Sequence, residues 1–600
     1  MGDFILSLDK RFFDKEDQIK HHMQYYDDVD VRSFQYEKFK LFLSRVDGWD
    51  LWKPYHSTDG KLFVALAGRI ALEADEWEKA KFLPGDGGLA CKVIAEKYLK
   101  VDITKLNLNG NFVVFIYDAL LQQLHIVTDR CGMYPSYASH VNENAFIIGS
   151  HPDFLANILN ISQDWDLTSL AEFLAAGKVS FPYSYYNHIK ALDYGTIHSI
   201  DLTSNQIIYK KKYFDFNFNI DHTLSEWELA EDLAHAFRKS INRRTLPVFG
   251  QTGISLSGGL DSRALLCSAD DRKNIWTFCF FDEENLEYNI AREIAQEAWV
   301  KFIPLKRNFD HYGDNAEMGI KISGGMGDFG NNHYLGFRDS FRNLGIDNII
   351  AGFYCDYLFK SLVLNKHVNK FLRTEKFLQF KDDNYMPVYW FNTVYSRQAK
   401  ERLDELFPDS VKYNETDMGR LEIEKRRLFP LYNEPDNQET LIPQRVMGWY
   451  LPIVDNDIID TYLKIPPQYK LNTSMYSKMV ELQCGKEISK IININTGARV
   501  NASQVSLIIH GIRKALLSRI KKKRKSIATN ESWPNWPFYI YNSKKIEFLW
   551  VRNNKKSIEI FSQLLGYNPY EKRIVEYQNR DLKLFLRLLT LKIWIEQRTS

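Results

Sequence analysis

The run Gly253-Ile254-Ser255-Leu256 leads straight into Ser257-Gly258-Gly259-Leu260-Asp261-Ser262, and Arg263-Ala264-Leu265-Leu266 follows with helix-forming composition. An apolar run that stops at a hydroxyl and two glycines and resumes as a helix predicts a buried strand, a tight turn and a helix opening at the strand end. Glycine lets the backbone bend sharply and come close to a ligand, and the hydroxyls of Ser257 and Ser262 add donors. The helix then points its N-terminal amides and positive dipole end at the turn, which suits pyrophosphate. Asp261 puts a carboxylate beside that anion, a pairing that makes sense if it holds Mg²⁺. No Gly-Lys-Ser/Thr follows, so the turn is not a Walker loop.

The bulk properties narrow the setting. A chain of 600 residues is expected to form several domains, and 45% hydrophobic with 26% charged residues is the balance of a soluble globular protein. A net charge of +2 gives no broad field that calls for nucleic acid or a membrane. The six cysteines (Cys91, Cys131, Cys267, Cys279, Cys355 and Cys484) are scattered, with no CxxC pair. That usage fits a reducing cytosol without disulfides or zinc. With no visible signal peptide and no apolar run long enough to span a bilayer, the expected location is the cytoplasm. Gly2 follows Met1, but Leu6 stands where a myristoylation motif needs Ser or Thr.

The pattern changes along the chain. Residues 1–210 alternate short β-type runs (4–8, 62–66, 112–116, 125–128) with turns, plus a helix over 88–98, and read as a layered α/β domain on antiparallel sheets. From 225 to 500, strands at 253–257, 275–281 and 302–305 alternate with helices at 225–241 and 287–298, the signature of a parallel sheet covered by helices. Ligands in such sheets bind at the carboxyl ends of the strands. Residues 501–600 form a mostly helical extension, in which 582–597 is a helix docking on the preceding core.

The hexapeptide Ser257–Ser262 resembles the SGGLDS signature of the PP-loop ATP pyrophosphatases, which cleave ATP between the α and β phosphates and adenylate a carboxylate or carbonyl. Asn109-Gly110-Asn111-Phe112 followed by Asp118 resembles the "L-N-G-x-F-x-F-x-x-x-D" stretch of class II glutamine amidotransferases. Thr128-Asp129-Arg130-Cys131-Gly132-Met133-Tyr134-Pro135 resembles their "R-D-R-x-G-x-x-P", and Gly68-Arg69-Ile70 and 85–88 fall where they keep the glutamine pocket. In this order the motifs are similar to those of the asparagine synthetase family. That family uses Cys at position 2 as an N-terminal nucleophile with its own amine as base. This chain has Gly2, and Gly88 replaces the acid that holds the glutamine amine, so the resemblance implies a domain without glutamine hydrolysis, as in β-lactam synthetase and lasso-peptide cyclases.

In the second half, 349–359 resembles the family's "L-S-G-E-G-x-D-E-L-F-G-G" loop, beginning at its second position with Gly352 as the first glycine. The resemblance implies that Asp356 shares Mg²⁺ with Asp261, although an Asp after a buried strand equally reads as a helix cap. The two acids of the motif are Phe353 and Tyr357, and Tyr354 beside them is a candidate acid–base residue, by similarity to β-lactam synthetase. Thr277 and Phe278 fall on the strand that passes the adenine, Glu287 and Ala291 on the family's "D-x-x-x-A" helix; Cys279 and Phe280 read as core. The stretch 450–478 resembles the segment closing the ATP site, which makes Lys478 the candidate cation for phosphates and oxyanion.

The resemblance therefore implies an ATP-dependent carbon–nitrogen ligase that uses ATP and Mg²⁺. It joins a carboxylate substrate to an amine and releases AMP and pyrophosphate, with natural-product or surface-polymer tailoring of the lasso-peptide type as one concrete version. An ammonia-dependent asparagine synthetase and a catalytically inactive ATP-fold scaffold are the alternatives, and a homodimer or a pathway partner protein is compatible with each. The basic run 513–525 reads as a solvated segment or as a guide for an acidic substrate, and the aromatic loop at Trp533, Trp536, Phe538 and Tyr539 as packing.

Overall fold

The computed structural model describes residues 2–139, 147–204, 206–364, 366–369, 374–377, 393–405, 416–433, 438–520, 528–529, 534–552, 554–574, 576–577 and 581–599. The basic residues 521–525 and Trp533 lie outside them. The N-terminal part is built on two six-stranded antiparallel sheets. Strand Leu62–Ile70 is buried along its whole length and pairs with Gly110–Asp118. Its side chains alternate between two cores: Phe63, Ala65 and Ala67 face the other sheet, where Phe115 meets Phe4 edge-on at 5.0 Å, while Val64 and Leu66 pack with helices Ala74–Ala80 and Leu89–Lys100. A strand buried on both faces needs apolar residues at every position rather than alternate ones, which explains the continuous run Leu62-Phe63-Val64-Ala65-Leu66. Helix Pro152–Ile158 packs on the first sheet, at strands Ile147–Gly149 and Ile189–Ala191.

The second architecture is a five-stranded sheet in which every neighbour is parallel. Its spatial order is Lys301–Lys306, Ile275–Phe281, Gln251–Ser255, Ile346–Ile350 and Trp449–Tyr450. Gln251–Ser255 is the turning point: the strand that follows it in sequence lies on one side, and Ile346–Ile350 lies on the other. A crevice opens at such a switch point because the loops leaving the two strands diverge to opposite faces of the sheet. Helix Glu226–Arg244 opens with a reciprocal capping box between Ser225 and Glu228 and packs on helix Ser474–Lys490, which also covers Leu260–Cys267. The C-terminal helix Leu582–Thr599 lies against both His311–Ser323 and Leu167–Ala176, so it touches the amino-terminal layers as well as the parallel-sheet core on which it was expected to dock. Among the described residues no helix is long and apolar enough to cross a membrane.

Buried charges join the antiparallel layers to the parallel-sheet region. Asp455 and Arg244 are both fully buried, with Nη1 to Oδ2 at 2.5 Å. Arg243 takes the other carboxylate oxygen at 2.9 Å, and Asn109, from the loop before Gly110–Asp118, donates to Asp455 at 3.0 Å. Burial alone pushes the Asp455 carboxyl up, but the two guanidinium groups outweigh it and hold it below the usual range. Arg69 reaches Asn348 at 2.9 Å, and Arg445 pairs with Asp3 at 2.9 Å. Removing one member of a buried pair leaves the other charge uncompensated, at a cost of about 3–5 kcal/mol. Asp455→Ala is therefore expected to lower the urea-unfolding midpoint strongly, whereas Lys79→Ala, which removes only the exposed pair with Asp75, is expected barely to move it.

Candidate functional site

The strand Gln251–Ser255 ends two residues before Ser257, and the ladder continues once more as the Leu256 N–H donates to Phe278 O at 2.8 Å. The turn then closes on itself. The Ser257 N–H donates to Ser262 Oγ at 2.9 Å, the two hydroxyls lie 3.0 Å apart, and the Gly259 N–H donates to Ser257 Oγ at 3.2 Å. Gly258 is a position of close approach: its carbonyl accepts from Ile494 N–H at 3.0 Å, and a Cβ there would sit 3.1 Å from Ile494 Cβ. Gly259 is different, because only Ser257 Oγ lies near its missing Cβ, and this glycine forms the N-cap of Leu260–Cys267 with no side chain to cap it. The first-turn amides of that helix thus open toward the crevice unscreened by a capping side chain. Arg263, buried on the same helix, donates to the carbonyls of Ile491 and Ile492 at 2.8 and 2.9 Å and so fastens the 491–494 loop across the turn.

The second loop leaves Ile346–Ile350 on the adjacent strand. Gly352 lets it pass Asp261 closely, since a Cβ there would meet Asp261 Cβ at 3.2 Å. Tyr354 turns the chain in the left-handed region at φ 67°, and the short helix Cys355–Phe359 follows with Asp356 in its first turn. Asp261 and Asp356 are brought together, and a side chain stands between them: Lys360 Nζ lies 2.7 Å from Asp261 Oδ1 and 2.6 Å from Asp356 Oδ1. The ammonium also rests 4.8 Å from the centre of the Tyr476 ring. Burial disfavours the ammonium, but the two carboxylates outweigh it and hold Lys360 above the ordinary lysine range. At Asp261 burial pushes the carboxyl up, and Lys360 only partly offsets it.

In this arrangement the ammonium already stands where Mg²⁺ was expected: Oδ1 of each carboxylate is on Lys360, and a dication would have to displace it or lie beside it against like-charge repulsion. Among the described residues no group of three or more His, Cys, Asp or Glu side chains comes together in a way that could hold a metal ion.

The two loops border a cavity of about 560 Å³, whose lining includes Ser257, Gly259, Asp261, Gly352, Tyr354 and Asp356. Thr277 and Phe278 do not line it. Thr277 is buried in the sheet with its hydroxyl on Lys301 O at 3.1 Å, and Phe278 packs edge-on against Phe341 at 4.8 Å. Cys279 and Phe280 lie two residues further toward the carboxyl end of the strand, and it is they that reach the cavity assigned to Thr277 and Phe278. The Tyr354 hydroxyl donates to Leu431 O at 3.3 Å. Lys478 stands elsewhere, ion-paired with Glu226 in an adjoining cavity of about 790 Å³ that shares Asp356, Leu362 and Asn495 with the first.

Sequence reasoning missed three groups on these walls. Lys360 carried a readable signal, since the loop motif has glycine at its position. Arg307, bidentate to Asp282 at 2.8 and 2.9 Å, and His333, bonded to Tyr312 at 2.8 Å, carried none.

At the amino-terminal end, a Cβ on Gly2 would lie 1.9 Å from Ser44 O, so position 2 has no room for a side chain. The Gly2 carbonyl accepts from Tyr134 Oη. All six cysteines are buried, and burial pushes the thiols of Cys91, Cys131, Cys279, Cys355 and Cys484 up. Asp129 accepts the N–H groups of Cys131, Met133 and Tyr134 at 3.0, 3.0 and 2.8 Å, which gives this aspartate a loop-building role.

These layers contain a domain of the amidotransferase type. Residues 90–214 match a family model described as a glutamine amidotransferase domain. Among solved structures, one titled as the allosteric regulatory enzyme of purine biosynthesis is 10% identical over 51% of this chain and 80% of its own, with a TM-score of 0.26. The glutamine phosphoribosylpyrophosphate amidotransferase of B. subtilis, complexed with ADP and GMP, also gives 10% identity and a TM-score of 0.26, over 51% of this chain and 65% of its own. No curated protein matches.

Ser262→Ala tests the turn. It removes the acceptor of the part-buried Ser257 N–H, a hydrogen bond worth about 1 kcal/mol. A urea-unfolding midpoint unchanged from wild type contradicts the bonding described.

Proposed function

We propose that this protein is an ATP-dependent amide-forming ligase that does not hydrolyse glutamine. The observation that carries the reading is the convergence of Ser257–Ser262 and Gly352–Asp356 on one cavity at the switch point of a parallel sheet. Its volume of about 560 Å³ is in the range of small-molecule pockets. In this reading the first-turn amides of helix Leu260–Cys267 and the Ser257 hydroxyl take the phosphates, and the substrate carboxylate attacks the α-phosphate. The bond between the α and β phosphates breaks, pyrophosphate leaves, and an acyl-adenylate remains. An amine then attacks the acyl carbon and AMP departs, a step helped by alignment and by charge stabilisation. Arg307, bidentate to Asp282, lines this cavity, and Lys360 stands at its border between Asp261 and Asp356. Tyr354 lines the cavity and is the candidate for moving the amine proton.

Two features support the absence of glutamine hydrolysis. Position 2 cannot hold a cysteine without displacing Ser44, and the thiols the chain does carry are buried. Phe353 and Tyr357, aromatic where the resembling loop has acids, together with the adjoining cavity of about 790 Å³, favour an amine or acid larger than ammonia and aspartate.

Exchange of labelled pyrophosphate into ATP tests the reading, using amino acids and peptides as carboxylate donors. Wild type is expected to exchange with at least one donor, and Asp261→Asn to lose the exchange by about a hundredfold or more. A chain that binds ATP yet never exchanges is the scaffold alternative. Glutaminase activity is expected to be absent, and Gly2→Cys to lower the melting temperature without creating it; ammonia released by wild-type protein contradicts this part.

A further inference from the structure

We propose that Lys360 is the resident cation of this site: its ammonium occupies the place between Asp261 and Asp356 that a divalent ion needs, and it meets the phosphates of the bound substrate directly. The inference deepens the ligase reading and rests on it for the identity of the anion. Three observations support it. The ammonium contacts one oxygen of each carboxylate at nearly equal distance, 2.7 and 2.6 Å, which is the position of a bridging ion.

The side chain is also held in place. It is about 10% exposed, it rests on the Tyr476 ring, and the backbone carbonyl of Lys360 accepts from Lys366 Nζ at 2.6 Å. Finally, the bridge stands at the partition between the two cavities: Asp261 lines the smaller, Lys360 the larger and Asp356 both. A lysine tethered by its own backbone gives up less freedom than a hydrated dication that must shed water to enter, so a cation is in place, paired with the two carboxylates, before any ligand arrives. Binding of a polyphosphate at this point is then insensitive to divalent ions.

Two measurements on the full chain test this. Mn²⁺ binding, followed by the resonance of the free ion, is expected to be the same in wild type and Asp261→Asn. Lys360→Met is expected to gain one Mn²⁺ site, which Lys360→Met/Asp356→Asn loses again. Wild-type protein that binds one Mn²⁺ more than Asp261→Asn overturns the proposal. In the second measurement, calorimetric affinity for pyrophosphate in EDTA is expected to stay within about threefold of that in excess Mg²⁺. Lys360→Met is expected to weaken it by roughly ten- to a hundredfold, the loss of a charge-assisted contact, with Lys360→Arg retaining most of it.

Abolition of wild-type pyrophosphate binding by EDTA overturns the proposal without any variant having to fold. Pyrophosphate binding with no response to ATP removes the ligase reading while leaving Lys360 in its role.

Discussion

Two carboxylates at the ends of neighbouring parallel strands repel one another, and a single ammonium holds them together. Asp261 comes from the helix after one strand and Asp356 from the helix after the next, and Lys360 spans them at 2.7 and 2.6 Å. Asp261 is largely buried and Asp356 largely exposed, so the ammonium screens one carboxylate from the other at the edge of the crevice, where the loops at Ser257 and Gly352 pass each other.

Among the described residues, the antiparallel layers contribute no lining residue to the cavity. Position 2 is packed against Ser44, Asp3 is paired with Arg445, and Asn109 is turned to Asp455. Polar groups at the amino-terminal end have thus been taken up in joining the layers to the parallel sheet. Asn109 lies in a stretch resembling an amidotransferase motif, yet its hydrogen bonds reach Asp455 and Asn456, beside the fully buried Arg244. A buried pair of this kind contributes little net stability over an apolar contact, but it fixes the relative placement of the two parts because any slip leaves a charge unpaired.

Much of this was legible in the sequence, for reasons that can be named. The strand at 275–281 was read with its bounds correct, because a β-rich apolar run flanked by polar residues has few other solutions. The turn at Ser257 was legible because two adjacent glycines between a strand and a helix leave little conformational choice. The assignment to Thr277 and Phe278 was two residues short, since periodicity identifies a strand but leaves open which residues lie beyond the sheet edge. Arg307, Asp282 and His333 come together from separate segments, and no local pattern announces a contact of that kind. Lys360 was visible as a departure from a motif, but its position between two aspartates depends on the fold. Lys478 was assigned by the same motif logic, and the structure instead pairs it with Glu226.

A crystal structure with a non-hydrolysable ATP analogue tests the central claim most directly. The account predicts phosphate oxygens on the first-turn amides of helix Leu260–Cys267, with the Lys360 ammonium on the same phosphates and no metal ion between Asp261 and Asp356. Density for the analogue at any other place, or a metal ion between those two aspartates with Lys360 swung away, contradicts it.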